Sequence, residues 1–146
     1  MDLLIDIQQL DPGLPVPKYA YHGDAGCDLY SAADIDLAPG QRALAPTGIA
    51  ISIPEGYAGF VQPRSGLAAK HGIGIVNAPG LIDSKYRGEI KVILINTDKD
   101  EAFSIERGDK VAQLVIQPVV TANFRVVAEL DDTVRGGGGF GSSGRR

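Results

Sequence analysis

Apolar residues recur at every second position through much of this chain. Ile49, Ile51 and Ile53 alternate with Ala50 and Ser52, the period-two pattern of a strand. Residues 89–96 put Ile90, Val92 and Leu94 on one face, with Lys91, Ile93 and Ile95 on the other. Residues 111–117 behave similarly, with Val111 and Val115 on one side and Ala112, Leu114 and Ile116 at the alternate positions. Strands apolar on both faces are covered twice. In so short a chain the second cover points to another copy of the same protein, a homo-oligomer. Turn signals interrupt the strands at short intervals: Ala38-Pro39-Gly40, Pro54-Glu55-Gly56, Ala78-Pro79-Gly80 and Arg107-Gly108-Asp109. Many short strands and frequent turns predict a sandwich, barrel or jelly roll. One helix is expected, from a capping-type Ser65 to a Lys70-His71 turn and Gly72. It is about two turns long, so tertiary contacts must hold it.

Composition sharpens this picture. The 146 residues suffice for one domain with a real core. The 19 Gly and 9 Pro argue against long helices. No apolar run approaches the roughly 18–20 residues of a membrane span. The start, Met1-Asp2-Leu3-Leu4-Ile5-Asp6, lacks the basic and apolar stretches of a signal peptide, and the single cysteine, Cys27, cannot form an internal disulfide. A cytoplasmic protein is expected. The net charge of −4 speaks against a general nucleic-acid binder. A polyanionic ligand would need local cations, backbone donors or a metal. Residues 135–144 form a Gly/Ser-rich tail, flexible by composition.

Five segments carry candidate chemistry. Pro63-Arg64-Ser65-Gly66 lies where the strand Tyr57–Gln62 enters the helix, whose free N–H groups suit phosphate. Arg64 adds a forked cation and Ser65 a hydroxyl; an N-cap beside a surface Arg explains the same residues. In Asp24-Ala25-Gly26-Cys27-Asp28-Leu29, two carboxylates four apart suit a hydrated Mg²⁺, or merely an acidic turn. Residues 80–89 look like a hairpin with Asp83 at a strand end, placed to deprotonate a water, and with Tyr86 free to pack on a sugar or simply to sit on the rim. In Arg107-Gly108-Asp109-Lys110-Val111-Ala112-Gln113-Leu114, Gln113 shares a strand face with Val111 and Val115 and needs hydrogen-bond partners, from a phosphate or from backbone. Phe140 stands alone among glycines and serines, an aromatic that makes sense if the tail closes on something flat and excludes water.

The five segments occur in a fixed order, and in that order the chain resembles the trimeric dUTPase family, bacterial type. The matching blocks are Asp24-Ala25-Gly26-Cys27-Asp28-Leu29-Tyr30-Ser31, Pro63-Arg64-Ser65-Gly66-Leu67-Ala68, Gly80-Leu81-Ile82-Asp83-Ser84-Lys85-Tyr86-Arg87-Gly88-Glu89, Arg107 to Leu114, and residues 135–144. The resemblance implies an all-β, distorted jelly-roll or barrel domain over residues 1–134, and a C-terminal lid over 135–146 that belongs to the same active site. It implies a homotrimer with three shared sites, each drawing the first, second and fourth motifs, the third, and the tail from different subunits. The implied reaction is hydrolysis of dUTP to dUMP and pyrophosphate, which limits uracil in DNA and supplies dUMP for dTMP synthesis.

Carried over by motif, Asp83 is the base that activates the water attacking the α-phosphorus. Asp28 holds Mg²⁺, mainly through water. Arg64, Ser65, Gly66 and Gln113 contact the phosphates, and backbone around Gly80, Leu81 and Ile82, with Asn77 nearby, reads the uracil edge. Tyr86 packs on the deoxyribose and excludes a 2′-hydroxyl. Lys91 assists after the third motif. Phe140 stacks on uracil, while Arg135, Gly141 and Ser142 close on the phosphates. Two alternatives stand beside this: a dCTP deaminase-type relative, which shares the fold, and a catalytically silent nucleotide-binding regulatory module.

Overall fold

The computed structural model describes residues 2–146. Eleven strands and one helix run in the order β1 (Asp6–Gln9), β2 (Gly26–Tyr30), β3 (Ile35–Leu37), β4 (Arg42–Pro46), β5 (Ile49–Ser52), β6 (Tyr57–Gln62), α1 (Ser65–His71), β7 (Ile73–Ile75), β8 (Gly80–Ile82), β9 (Lys91–Asn96), β10 (Phe103–Ile105) and β11 (Lys110–Pro118). The strands form four antiparallel sheets: β2-β11-β6-β8, β4-β9-β7, β1-β5 and β3-β10. The fold is all-β and jelly-roll-like, as expected, but the sheets do not close into a barrel.

Alternation builds the core. Val92, Leu94 and Asn96 on one face of β9 are buried, as is Ile90 just before it; Ile73 from the adjacent β7 and Leu29, Leu37, Ile105 and Val111 from other sheets join the same core. Each such aliphatic side chain contributes about 1.5–3 kcal/mol relative to exposure. Asn96 is wholly enclosed, yet its amide donates to the Leu37 (3.1 Å) and Glu101 (2.8 Å) carbonyls and accepts from the Asp98 N–H (2.9 Å). It thereby ties β9 to β3 and to the loop before β10. Ile93 and Ile95, on the opposite face of β9, are only half-buried in the single chain.

Three local expectations change. Residues 80–89 are not a hairpin. β8 pairs with β6, β9 pairs with β4 and β7, and the segment between them is a corner joining two sheets. The corner is tied internally: Tyr86 N–H donates to Asp83 O (3.1 Å), Tyr86 Oη–H to Glu89 O (2.9 Å), and Arg87 Nη1 to Ser84 O (2.7 Å). Secondly, a β-bulge between Lys110 and Ala112 breaks the phase of β11. Val111 and Ala112 are therefore both buried, and Gln113 shares its face with Val115 but not with Val111. Thirdly, Ser65 is not the cap of α1. Arg64 holds the N-cap position without a side-chain bond, and Ser65 is the first helical residue. The helix ends as expected at Gly72, in the left-handed region (φ 67°). Gly72 O accepts from Thr97 N–H (2.9 Å), and His71 stacks on Phe103 with ring centroids 4.7 Å apart.

Beyond β11 the chain has no strand or helix, and residues 119–137 are exposed. Val119 N–H is bonded to Gly56 O (2.9 Å). Val120, Phe124, Val126, Leu130 and Val134 then carry apolar side chains into solvent. The Gly-rich end folds into short turns, with Gly138 N–H on Arg135 O (3.1 Å) and Gly144 N–H on Gly141 O (2.9 Å). Among the described residues, no helix is long and apolar enough to cross a membrane.

Candidate active site

The four-stranded sheet organises four of the five motifs. β2 carries the first and β11 the fourth. The second follows β6 directly, and β8 opens the third. Register places Gln113 opposite both Asp28 and Gln62. One row across three strands thus aligns the first and fourth motifs just before the chain turns through Pro63 into Arg64. There a cleft of about 370 Å³ is lined by Ala20, Asp24, Gly26, Asp28, Arg64, Ser65, Gly66 and Gln113, among others.

The cleft has a defined electrostatic arrangement. Asp28 is ion-paired with two cations: Arg64 Nε lies 3.3 Å from Oδ1, and Lys110 Nζ lies 3.1 Å from Oδ2. Arg64 Nη1 also donates to Lys110 O (3.4 Å). Gln113 Nε2 donates to Pro63 O (3.0 Å), which leaves its Oε1 against Gly26, where a Cβ would lie 2.8 Å away. A Cβ on Gly66 would meet nothing within 4 Å, so the backbone there faces open space. Together these are a forked cation, a hydroxyl, an amide and exposed helix-start N–H groups. They suit the oxygens of a polyphosphate.

The donors also suit Mg²⁺ in one way only. Among the described residues no three His, Cys, Asp or Glu side chains gather to chelate a metal. Asp24 spends one oxygen on Tyr21 N–H (2.9 Å), which leaves Asp28 as the carboxylate facing the cations. A single carboxylate beside a phosphate site fits an ion that keeps its waters and takes its remaining ligands from substrate.

The other expected residues lie elsewhere. Gly80 pairs with Val61 and Ile82 with Gly59, so β8 runs away from the cleft. Asp83 follows its far end, about 10 Å along the strand from Gly80, while Arg64 lies three residues past Val61 in the opposite direction. Asn77 does approach Gly80, its Nδ2 being 3.6 Å from where a Gly80 Cβ would stand. Leu81 and Tyr86 are exposed and Ile82 is buried. Lys91 opens β9 in the other sheet. None of Asp83, Tyr86, Lys91, Arg135, Phe140, Gly141 or Ser142 lines the cleft. Phe140 is fully exposed, and Arg135 Nε is bonded within the tail to Gly138 O (2.8 Å).

Lys110, at the cleft's edge, pairs with Asp28 and was given no role from the sequence. Its signal was a basic residue three before Gln113, but reaching Asp28 depends on the bulge. The Arg-Gly-Asp tripeptide proves to be architectural. Arg107 pairs with Asp11 at 2.7 and 3.0 Å, which holds the Asp11 carboxyl below the usual range. Asp109 accepts Glu106 N–H at 2.9 Å.

Comparison with known proteins agrees with this arrangement. The dUTPase family model matches residues 13–144. The deoxyuridine 5'-triphosphate nucleotidohydrolase of Thermobifida fusca is 59% identical over 140 residues, covering 96% of this chain and 78% of the relative. The Staphylococcus bacteriophage 80alpha dUTPase, solved with the dUTP analogue dUPNHPP, superposes with a TM-score of 0.90 at 31% identity, covering 97% of this chain and 98% of that one. A variant dUTPase of S. aureus phage phi11, described with a structural Mg(II) ion, superposes with a TM-score of 0.80 at 29% identity over 87% of this chain and 98% of that one. The chain belongs to the dUTPase family.

Proposed function

We propose that this protein hydrolyses dUTP to dUMP and pyrophosphate, at sites completed between the subunits of a homotrimer. The observation that carries the reading is the division of the four-stranded sheet. Its phosphate-type cleft and the Asp83 corner point to opposite ends, so one chain cannot bring both to one nucleotide. Two further features support an assembly: the half-covered Ile93 and Ile95, and an arm of exposed Val120, Phe124, Val126 and Leu130. A second copy would cover them.

In this reading Arg64, Ser65, Gly66 and Gln113 of one subunit hold the phosphates. The Asn77–Ile82 segment of a neighbour pairs with the uracil edge through backbone, with Lys91 close behind. Directed backbone donors and acceptors penalise cytosine by leaving buried groups unpaired. A thymine methyl is refused by shape, and Tyr86 against the sugar refuses a 2′-hydroxyl. Asp83 takes the proton of the water that attacks the α-phosphorus. The body, residues 1–134, presents these groups, and residues 135–146 form the lid. Phe140 stacks on the base while Arg135, Gly141 and Ser142 close on the phosphates and exclude water. Mg²⁺, held near Asp28 mainly through water, would neutralise charge on the phosphate oxygens. The reaction would be cytoplasmic, keeping uracil out of DNA and providing dUMP for dTMP synthesis.

Pyrophosphate release with Mg²⁺ from dUTP, dCTP, dTTP and UTP, measured side by side, tests this. Release from dUTP alone is expected. Ammonia from dCTP would instead indicate a deaminase, and dUTP binding without pyrophosphate a regulatory module.

A further inference from the structure

Lys110 stands outside every role assigned above, yet at the edge of the cleft it makes the shorter of the two ion pairs to Asp28, with Nζ 3.1 Å from Oδ2. The bulge after it sends Val111 into the core and leaves the Lys110 side chain partly exposed beside β2. The other Asp28 oxygen takes Arg64 Nε at 3.3 Å, and Arg64 Nη1 turns to the Lys110 carbonyl rather than to the carboxylate. One carboxylate is thus divided between two cations.

An Arg beside a carboxylate ordinarily closes on it with two parallel bonds. Here only Nε approaches the carboxylate, 3.3 Å from Oδ1, while the Lys110 ammonium offsets the charge at Oδ2. We propose that Lys110 is a positioning residue for the phosphate site. By offsetting the charge of Asp28 it weakens that carboxylate's hold on Arg64 and keeps the guanidinium available to phosphate oxygens. Without the ammonium, Arg64 closes its fork on Asp28, and the cation needed by the phosphates is spent on a carboxylate.

This inference rests on the dUTP reading of the same cleft. The test is calorimetric titration of the intact protein with dUPNHPP and Mg²⁺, as a double-mutant cycle with Asp28. Lys110→Met is expected to weaken binding about tenfold, and Lys110→Arg to stay within about threefold of the unaltered protein, as charge-pair couplings of this size allow. In the Asp28→Asn background, Lys110→Met is expected to change affinity by less than about twofold. An equal loss in both backgrounds would mean that Lys110 contacts phosphate itself and would overturn the proposal. So would unchanged binding in Lys110→Met, or a loss that tracks a lowered melting temperature. If the unaltered protein failed to bind dUPNHPP, the dUTP reading would fall first and this inference with it.

Discussion

Asp83 is the proposed general base. It is exposed at the end of β8, and its backbone carbonyl anchors the corner through Tyr86 N–H. Its side chain carries no bond that the corner needs, so Asp83→Asn should leave fold and dUTP binding intact. Turnover should fall about 10²–10⁴-fold, the usual contribution of a positioned general base. Near-normal turnover in that variant would remove Asp83 from the mechanism. Cys27 makes the opposite case. Burial pushes its thiol up from the ordinary range, with a long contact to Leu114 O (3.6 Å). A thiol reagent should therefore label the folded protein far more slowly than the unfolded one at neutral pH, and equal rates would contradict the packing of β2 against β11. Residue types were legible from the sequence: Arg64, Gln113 and Asp28 do face one cleft. Partners were less so. Gln113 bonds to the Pro63 carbonyl and Asp28 is shared by two cations, and both depend on a register that no local pattern encodes.

At the scale of elements, strands with strong alternation were readable nearly to the residue. β6 occupies Tyr57–Gln62 as expected, because flanking turns delimit it. The misreadings arose where the backbone leaves its period. A bulge adds a residue without a sequence signature, so Val111 changes face. Two strands joined by a polar turn look like a hairpin whether or not they share a sheet, and β8 and β9 do not. The end of α1 was clear because Gly72 must be left-handed. A Cβ there would also sit 3.0 Å from Thr97 Oγ1 and 3.1 Å from Asp98 N. Gly72→Ala should accordingly cost about 1–2 kcal/mol of stability in denaturant unfolding, with little change in slope. An unaltered midpoint would show that the helix end tolerates another conformation. α1 has no buried residue, so this cap and the His71–Phe103 stack hold the turn that presents Ser65 and Gly66.

For the whole molecule, the sequence pointed to strands apolar on both faces and to a Gly-rich tail with one aromatic, and the structure leaves Ile93 and Ile95 half-buried and Phe140 exposed. The resemblance implied sites shared between subunits. The sheet separates the phosphate cleft from the Asp83 corner, and the lid residues reach neither. Truncation before Arg135 should leave a particle of three truncated chains in light scattering and an unchanged melting temperature in calorimetry, with poor turnover. Full activity of the truncated protein would refute the lid. The proposed division between subunits has a more direct consequence. Arg64→Ala and Asp83→Asn, each nearly inactive alone, carry their defects in different halves of the site. Unfolded together in equal amounts and refolded, they should form mixed trimers in which about a quarter of the sites draw an intact Arg64 from one chain and an intact Asp83 from another. Pyrophosphate release from dUTP should then recover to roughly a quarter of the unaltered rate. Recovery to that level would establish that neighbouring subunits complete each site; no recovery above the two separate variants would place both residues in one chain's site and contradict the account.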